Sequence, residues 1–333
     1  MIILGIETSC DDTATAILRD DIILSNIVSS QDSIHTRFGG VVPELASRTH
    51  LQSIQPAVMD VLEKADMALS DIDLIAATQG PGLIGSLLVG FSFAKALSYV
   101  NETPFVGVDH MAGHILSIFL EPSPPSFPFI AAVVSGGTTS IFLAESFTSF
   151  KLLGRTRDDA AGEAFDKIAK FLNLPYPGGV HISDRALSGD PEAIKFPRAW
   201  LEKGSLDFSF SGLKTSVMNH CNQQNQKNIS LHIPNICASF QEAVVDVITE
   251  KTLLAAKKHG VSSIVLGGGV SSNQRLREKL KTRCDGEKIS FFVPRPAYCT
   301  DNGAMIALAG SYIYKESGTT SLQQDVYSRL QLG

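Results

Sequence analysis

The sequence predicts an α/β protein made of two copies of one lobe, with a cleft between them. Three observations carry this. An apolar strand, a polar turn and a returning strand occur twice, at Ile2–Leu18 and again at Phe129–Leu143. Helical stretches follow each hairpin. A proline- and serine-rich stretch, Glu121-Pro122-Ser123-Pro124-Pro125-Ser126, lies between them and reads as a linker or exposed loop. A strand-hairpin-helix unit appearing twice is the pattern of a duplicated α/β architecture.

Along the chain, Ile2–Ile6 is β-branched and apolar and predicts a strand. The turn Glu7-Thr8-Ser9-Cys10-Asp11-Asp12-Thr13 follows. Ala14–Leu18 returns as a second strand, and Ile22–Leu24 follows the Asp20-Asp21 turn as a third, which makes a hairpin with an acidic tip. Helices are expected over Pro43–Val61 and Ser86–Tyr99. In the second half, Phe129–Val134 and Ser140–Leu143 flank the turn Ser135-Gly136-Gly137-Thr138-Thr139, and helices are expected near Ala160–Phe171, Ile236–His259 and Asn273–Lys281. Asn222–Asn228 is rich in Gln and Asn and reads as a loop. The division expected is a first lobe of 1–120 plus about 305–333 and a second of 121–304.

The 333 residues, 44% apolar and 19% charged, suit about two domains. The net charge is -6, whereas a protein that grips nucleic acid alone is usually basic. A nucleic-acid role must then rest on a local patch or on partner subunits. Lys251–Lys288, with nine basic and three acidic residues, is the local excess that could meet phosphates, although such a run is more often a solvated helix face. Five cysteines without a CxxC pair predict a reduced, cytoplasmic protein. The N-terminal apolar run reaches Glu7 too soon for a signal peptide. The longest apolar stretch, Leu83–Val100, is interrupted by glycines, serines and Lys95, and predicts a buried helix rather than a membrane span.

His110-Met111-Ala112-Gly113-His114 places two imidazoles at i and i+4. On a helix they share one face, one turn apart, which suits two ligands of one metal ion and equally two histidines that cap or pack separately. The glutamate of HExxH, base of the zinc proteases, is missing. Asp301, just before an apolar helix-like run, is the candidate third ligand, although an aspartate there equally suits a helix N-cap. Two histidines and a carboxylate would leave positions open for water or a substrate oxygen, and iron or zinc would both fit. Three glycine-rich turns, at Val133–Gly137, Tyr176–Gly179 and Val265–Asn273, follow apolar stretches and could let backbone amides approach phosphate oxygens. None is a P-loop or a dinucleotide-binding GxGxxG. Asp159, Glu163 and Asp166 fall on neighbouring turns of one helix. They read as a solvated acidic face, or as a site where Asp166 accepts hydrogen bonds from a ribose or amino-acid group.

Together these segments resemble the TsaD family of tRNA adenosine threonylcarbamoyltransferases, once described as O-sialoglycoprotein endopeptidases. The matching motifs are GIETSCDDT (Gly5–Thr13), GGVVPELASR (Gly39–Arg48), QGPGLIGSLLVG (Gln79–Gly90), HMAGH (His110–His114) and VSGG (Val134–Gly137). DDAAGEAFDK (Asp158–Lys167), FSFSGLKT (Phe208–Thr215), GGGVSSNQRLR (Gly267–Arg277) and CTDNGAMIA (Cys299–Ala307) complete the series, in the family's order.

The resemblance implies an actin/Hsp70/sugar-kinase-like (ASKHA) fold, two ribonuclease-H-like lobes around a nucleotide cleft. It implies transfer of threonylcarbamoyl from threonylcarbamoyl-AMP to N6 of the adenosine next to the anticodon, in tRNAs reading codons that begin with A, with release of AMP. It implies one divalent metal, Fe2+ or else Zn2+, on His110, His114 and Asp301. The adenylate would lie on Val133, Val134, Ser135, Gly136, Gly137, Asp166, Gly179, Ser183 and Asn273, and Asp11 would take part in transfer. Implied partners are a smaller paralogue (TsaB-like) and a P-loop ATPase (TsaE-like), with no membrane. The chain departs from the family pattern at Thr138 (usually histidine), Val180 (usually proline) and Ser183 (often aspartate). Side-chain contacts to substrate are expected to differ there, while backbone contacts from the glycines are retained. The rival readings are a kinase or ATPase of the same fold, which has no use for the metal triad; a metalloprotease, which lacks its glutamate; and a non-catalytic subunit, which needs no metal.

Overall fold

A computed structural model describes residues 1–200, 202 and 204–332. In chain order the first elements are β1 (Ile2–Glu7), β2 (Asp12–Arg19), β3 (Ile22–Ser30), α1 (Asp32–His35), α2 (Pro43–Lys64), β4 (Leu74–Gly80), α3 (Ile84–Asn101), β5 (Phe105–Asp109) and α4 (His110–Leu116). Then come β6 (Phe129–Val134), β7 (Thr139–Ala144), β8 (Phe150–Arg155), α5 (Ala161–Phe171), α6 (Gly178–Ala186), α7 (Ser211–Gln226), α8 (Ile233–His259), β9 (Ser263–Gly267), α9 (Gln274–Gly286), β10 (Ser290–Phe292) and α10 (Gly303–Ser317).

The chain forms two compact units. One is Met1–Phe127, Ala144–Lys151 and Pro294–Gly333; the other is Pro128–Leu143 and Leu152–Val293. The first unit thus takes in more than the 1–120 and 305–333 expected from sequence. Local packing accounts for the difference. Phe119 and Phe127 stack at 5.3 Å, Phe147 lies against both and against Tyr312, and Arg295 pairs with Glu121 at 2.9 Å.

In the first unit the sheet order is β3-β2-β1-β4-β5. β1, β2 and β3 pair antiparallel, as the hairpins demand, while β1–β4 and β4–β5 are parallel. Alternation sets the two faces of β1. Leu4 and Ile6 enter a core with Ile54, Val58 and Val61 of α2 and Phe91 and Ala94 of α3. Gly5 points the other way, where α10 crosses so closely that a Cβ would lie 2.1 Å from the Gly303 carbonyl oxygen. The parallel strands bring the carboxyl ends of β1, β4 and β5 to one edge, the usual location of α/β sites.

In the second unit the order is β10-β9-β6-β7-β8. Traversed from β8, it is the permutation of the first sheet, and β6–β9 and β9–β10 are again parallel. The repeated lobe inferred from the sequence is therefore present in the strand order. One expectation is corrected, and of two readings of another segment the structure favours one. Asn222–Asn228 is mostly helix, because α7 continues to Gln226 on the buried stripe Leu213, Val217 and Cys221, whose spacing of four outweighs the polar composition. The basic run Lys251–Lys288 has the character of a solvated, ion-paired face: Arg275 and Lys279 pair with Glu242, Arg283 with Glu250 and Lys257 with Glu287. Lys251 is buried and donates to the Asp207 carbonyl.

Helix α3 is long and apolar enough to cross a membrane by length and composition. Its Leu87, Phe91 and Ala94 are buried, the last two in the core of the first unit.

Gly5→Ala is expected to lower unfolding free energy by about 3 kcal/mol through overpacking against α10. Gly136→Ala, where a Cβ would meet nothing within 4 Å, is expected to change it by less than ~0.5 kcal/mol. Urea denaturation checks both.

Candidate active site

The local sequence places two imidazoles on the first turn after a strand. β5 ends at Asp109, whose carboxylate accepts from the amides of Met111 (2.8 Å) and Ala112 (3.3 Å) and so caps α4. His110 is then the first helical residue, and His114 stands one turn on, with the ring centroids 4.6 Å apart. Asp301 comes from the segment before α10. The cap of that helix is Asn302, whose side chain accepts from the Met305 amide at 2.9 Å. The capping role open to Asp301 in the sequence thus falls to its neighbour. Asp301 Oδ1 lies 3.1 Å from His114 Nε2 and 3.5 Å from His110 Nε2.

His114 is wholly buried, yet neither ring nitrogen has a hydrogen bond; Nε2 is near Asp301 but outside hydrogen-bond alignment. An unsatisfied buried polar atom costs about 1–3 kcal/mol. The three ligand atoms lie within 4.8 Å of one another. A divalent ion among them would satisfy Nε2 of His114, the nitrogen beside Asp301, so the donor set fits a metal. Among the described residues no other His, Cys, Asp or Glu group gathers in this way.

The charges around this cluster shift one another. Burial drives the His110 imidazole towards its neutral form, but the carboxylates of Glu7 and Asp301 overcome that and raise its pKa to about 9. Burial opposes ionisation of Asp301 as well, and the two imidazoles more than offset it, bringing its pKa down to about 2. Glu7, wholly buried at the end of β1, accepts from His110 Nδ1 (2.8 Å), Thr78 Oγ1 (2.6 Å) and the Ser9 amide. Its pKa stays below the usual value because His110 outweighs burial.

The first hairpin turn is held by its neighbours. His50 of α2 bridges Thr13 Oγ1 (2.7 Å) and the Cys10 carbonyl (2.9 Å). Gly90 of α3 comes so close that a Cβ would lie 2.2 Å from Thr8 Oγ1. On this turn burial raises the Asp11 pKa, with Asp301 adding to it. Burial, Asp301 and Asp11 push Asp12 up to about 7.

In the second unit the other predicted residues fall into three local groups. β6 ends in Val133 and Val134, and the turn Ser135–Thr138 closes through the Ser135 amide and Thr138 carbonyl (2.7 Å). A Cβ on Gly136, Gly137 or Gly179 would meet nothing within 4 Å, so these backbones are open to approach. Asp166 of α5 accepts from the Gly178 amide at 2.7 Å, at the start of α6. Ser183 of α6 and Asn273, the cap of α9, meet through Gln241 of α8: Asn273 Nδ2 donates to Ser183 Oγ (2.9 Å) and Gln241 Oε1 (2.8 Å). Ser183 Oγ donates to Gln241 Oε1 at 2.9 Å.

The structure thus joins His110, His114 and Asp301, with Asp11 on the adjoining turn, and separately joins Ser183 with Asn273, while Val133–Gly137, Asp166 and Gly179 lie on β6 and its turn, on α5 and on α6. Sequence reasoning missed Glu7, Asp12 and Gln241. The available signal for Glu7 was an ionisable residue ending an otherwise apolar strand. Nothing in the polarity of α8 marks Gln241, which sits amid a long buried stretch.

The profile of the family described as "TsaD: tRNA N6-adenosine threonylcarbamoyltransferase" matches residues 22–308. Proteins named tRNA N6-adenosine threonylcarbamoyltransferase from Desulfotalea psychrophila and Syntrophus aciditrophicus are 62% and 51% identical, each match covering 100% of this chain and 98% of the relative. The relative from Staphylococcus aureus (strain Newman) is 45% identical over 100% of this chain and 97% of its own length. Among solved structures, full-length HypF in its phosphate- and nucleotide-bound form superposes with a TM-score of 0.64 at 14% identity, over 96% of this chain and 56% of that one. That likeness concerns the fold alone, which is α/β and of the actin/Hsp70/sugar-kinase-like kind.

The raised His110 pKa has a consequence for the metal-free protein. A group whose folded pKa lies near 9, above its unfolded value of about 6.5, contributes stability that is complete below about pH 6.5 and is lost as pH rises through 9. The melting temperature of chelator-treated protein is therefore expected to fall between pH 6.5 and 9, and His110→Ala is expected to flatten that slope. Calorimetry across the range checks this.

Proposed function

The chain belongs to the tRNA N6-adenosine threonylcarbamoyltransferase family, and from that premise we propose how its residues perform the transfer. The protein is an acyltransferase that forms N6-threonylcarbamoyladenosine in tRNA. The observation that carries the proposed site is the convergence of His110, His114 and Asp301 within 4.8 Å. These residues would hold one divalent ion, Fe2+ in this reading and Zn2+ as the alternative. When bound, it supplies Lewis-acid polarisation and a template for the reacting groups. The kinase and peptidase readings give way to the family's acyl-transfer chemistry.

The donor in this proposal is threonylcarbamoyl-AMP. The adenosine N6 is a weak nucleophile because its lone pair is delocalised into the ring. It attacks the carbamoyl carbon; a C–N bond forms, the bond from that carbon to the phosphate oxygen breaks, and AMP leaves. Asp11 orients the amine and takes its proton, a role favoured by a pKa raised through burial. The open backbone at Gly136 and Gly137, presented by Val133, Val134 and Ser135 at the end of β6, receives the phosphate, and its amides stabilise charge on the departing AMP. Asp166, Gly179, Ser183 and Asn273 hold the nucleoside. At Ser183 a hydroxyl replaces the family's frequent carboxylate, and the bonds from Ser183 and Asn273 to Gln241 support a nucleoside contact built from neutral groups.

The acidic chain needs help to hold tRNA. A smaller paralogue of TsaB type and a P-loop ATPase of TsaE type are the proposed partners, in the cytoplasm. The exposed apolar side chains Leu51 and Met59 of α2 and Ile84 and Leu88 of α3 support a docking face on the first unit. Five free cysteines support the reducing compartment.

Transfer from synthetic threonylcarbamoyl-AMP to unmodified tRNA, with and without both partners, tests the reading. Modified adenosine is expected with the full set, and its absence in every combination would contradict the proposal. Asp11→Asn is expected to lower the rate by about 10²–10⁴-fold with metal content unchanged, and an unaltered rate would remove Asp11 from the mechanism.

A further inference from the structure

The buried carboxylate of Glu7 has a use that the transfer steps do not absorb. Glu7 is 0% exposed, and an unpaired carboxylate there would be heavily penalised. Three donors from three segments converge on it: the Ser9 amide from the turn after β1, the Thr78 hydroxyl from β4, and His110 Nδ1 from α4. Ser9 Oγ lies farther from the same His110 nitrogen, at 3.3 Å. The opposite nitrogen, His110 Nε2, faces Asp301.

We propose that Glu7 is a positioning residue of the metal centre, setting metal affinity through His110. This rests on the metal reading given above. A neutral imidazole carries one proton, on either nitrogen. Glu7 can only accept, so it keeps that proton on Nδ1 and leaves the Nε2 lone pair facing Asp301 and His114. Thr78 and Ser9 fix the carboxylate, which in turn fixes the ring plane. A histidine ligand whose far nitrogen donates to a carboxylate is also a more basic ligand. Charge balance points the same way: a dication with Asp301 as sole charged ligand leaves one positive charge, which Glu7 neutralises in a buried site. A glutamine would present an amide NH2 to at least one of the three donors and leave it unpaired.

The test is Zn2+ affinity of the full, chelator-stripped chain, measured by competition with a chromophoric chelator. Glu7→Gln is expected to raise Kd about 10–100-fold. Thr78→Val, which removes the hydroxyl that fixes Glu7, is expected to raise it less. Thr15→Val removes a buried hydrogen bond to the Ala57 carbonyl in the same unit (2.9 Å) and is expected to lower the melting temperature with Kd unchanged. An unchanged Kd in Glu7→Gln, or a Thr15→Val effect as large, overturns the proposal. If Glu7→Gln does not fold, Thr78→Val decides, and an unchanged Kd there overturns it. Absence of Zn2+ binding in the parent chain would instead overturn the metal reading itself.

Discussion

The hydrogen bond between Glu7 and His110 is the constraint around which the first unit is arranged. A carboxylate at the end of a core strand must meet donors inside the protein. It meets one from its own turn, one from β4, its parallel neighbour, and one from the residue that follows β5. That geometry requires α4 to begin directly at the strand end, and the Asp109 cap permits it. The position of His114 follows from the helical repeat. α10, whose approach needs glycine at position 5 of β1 and at its own position 303 against Thr15 and Ala16 of β2, delivers Asp301 from the segment just before it.

Much of this was legible in the sequence because periodicity and local chemistry agree. The two hairpins and most of the long helices follow from apolar spacing, the shared face of His110 and His114 follows from their i, i+4 spacing, and the strand order of both sheets repeats as the pattern implied. What was not legible depends on tertiary partners. Either Asp301 or Asn302 could cap α10 by composition, and only the fold assigns the cap to Asn302. Glu7 reads as the first polar residue of a turn until β4 and α4 are placed beside it. Gln241 gains meaning only where α6 and the start of α9 meet α8. The polar end of α7 was misjudged because its buried stripe uses one residue in four.

The same dependence governs charge. By count the segment 251–288 is basic, yet four of its cations pair with glutamates and Lys251 is buried. With a net charge of -6, the chain as a whole offers tRNA little general attraction. The proposal that other subunits help to hold tRNA rests on this balance.

Metal content of purified protein tests the central claim most directly. One ion per chain is expected for the parent, and none for folded His114→Ala or Asp301→Ala, as read by mass spectrometry of the metal after gel filtration. Retention of one ion per chain in both variants would contradict the account.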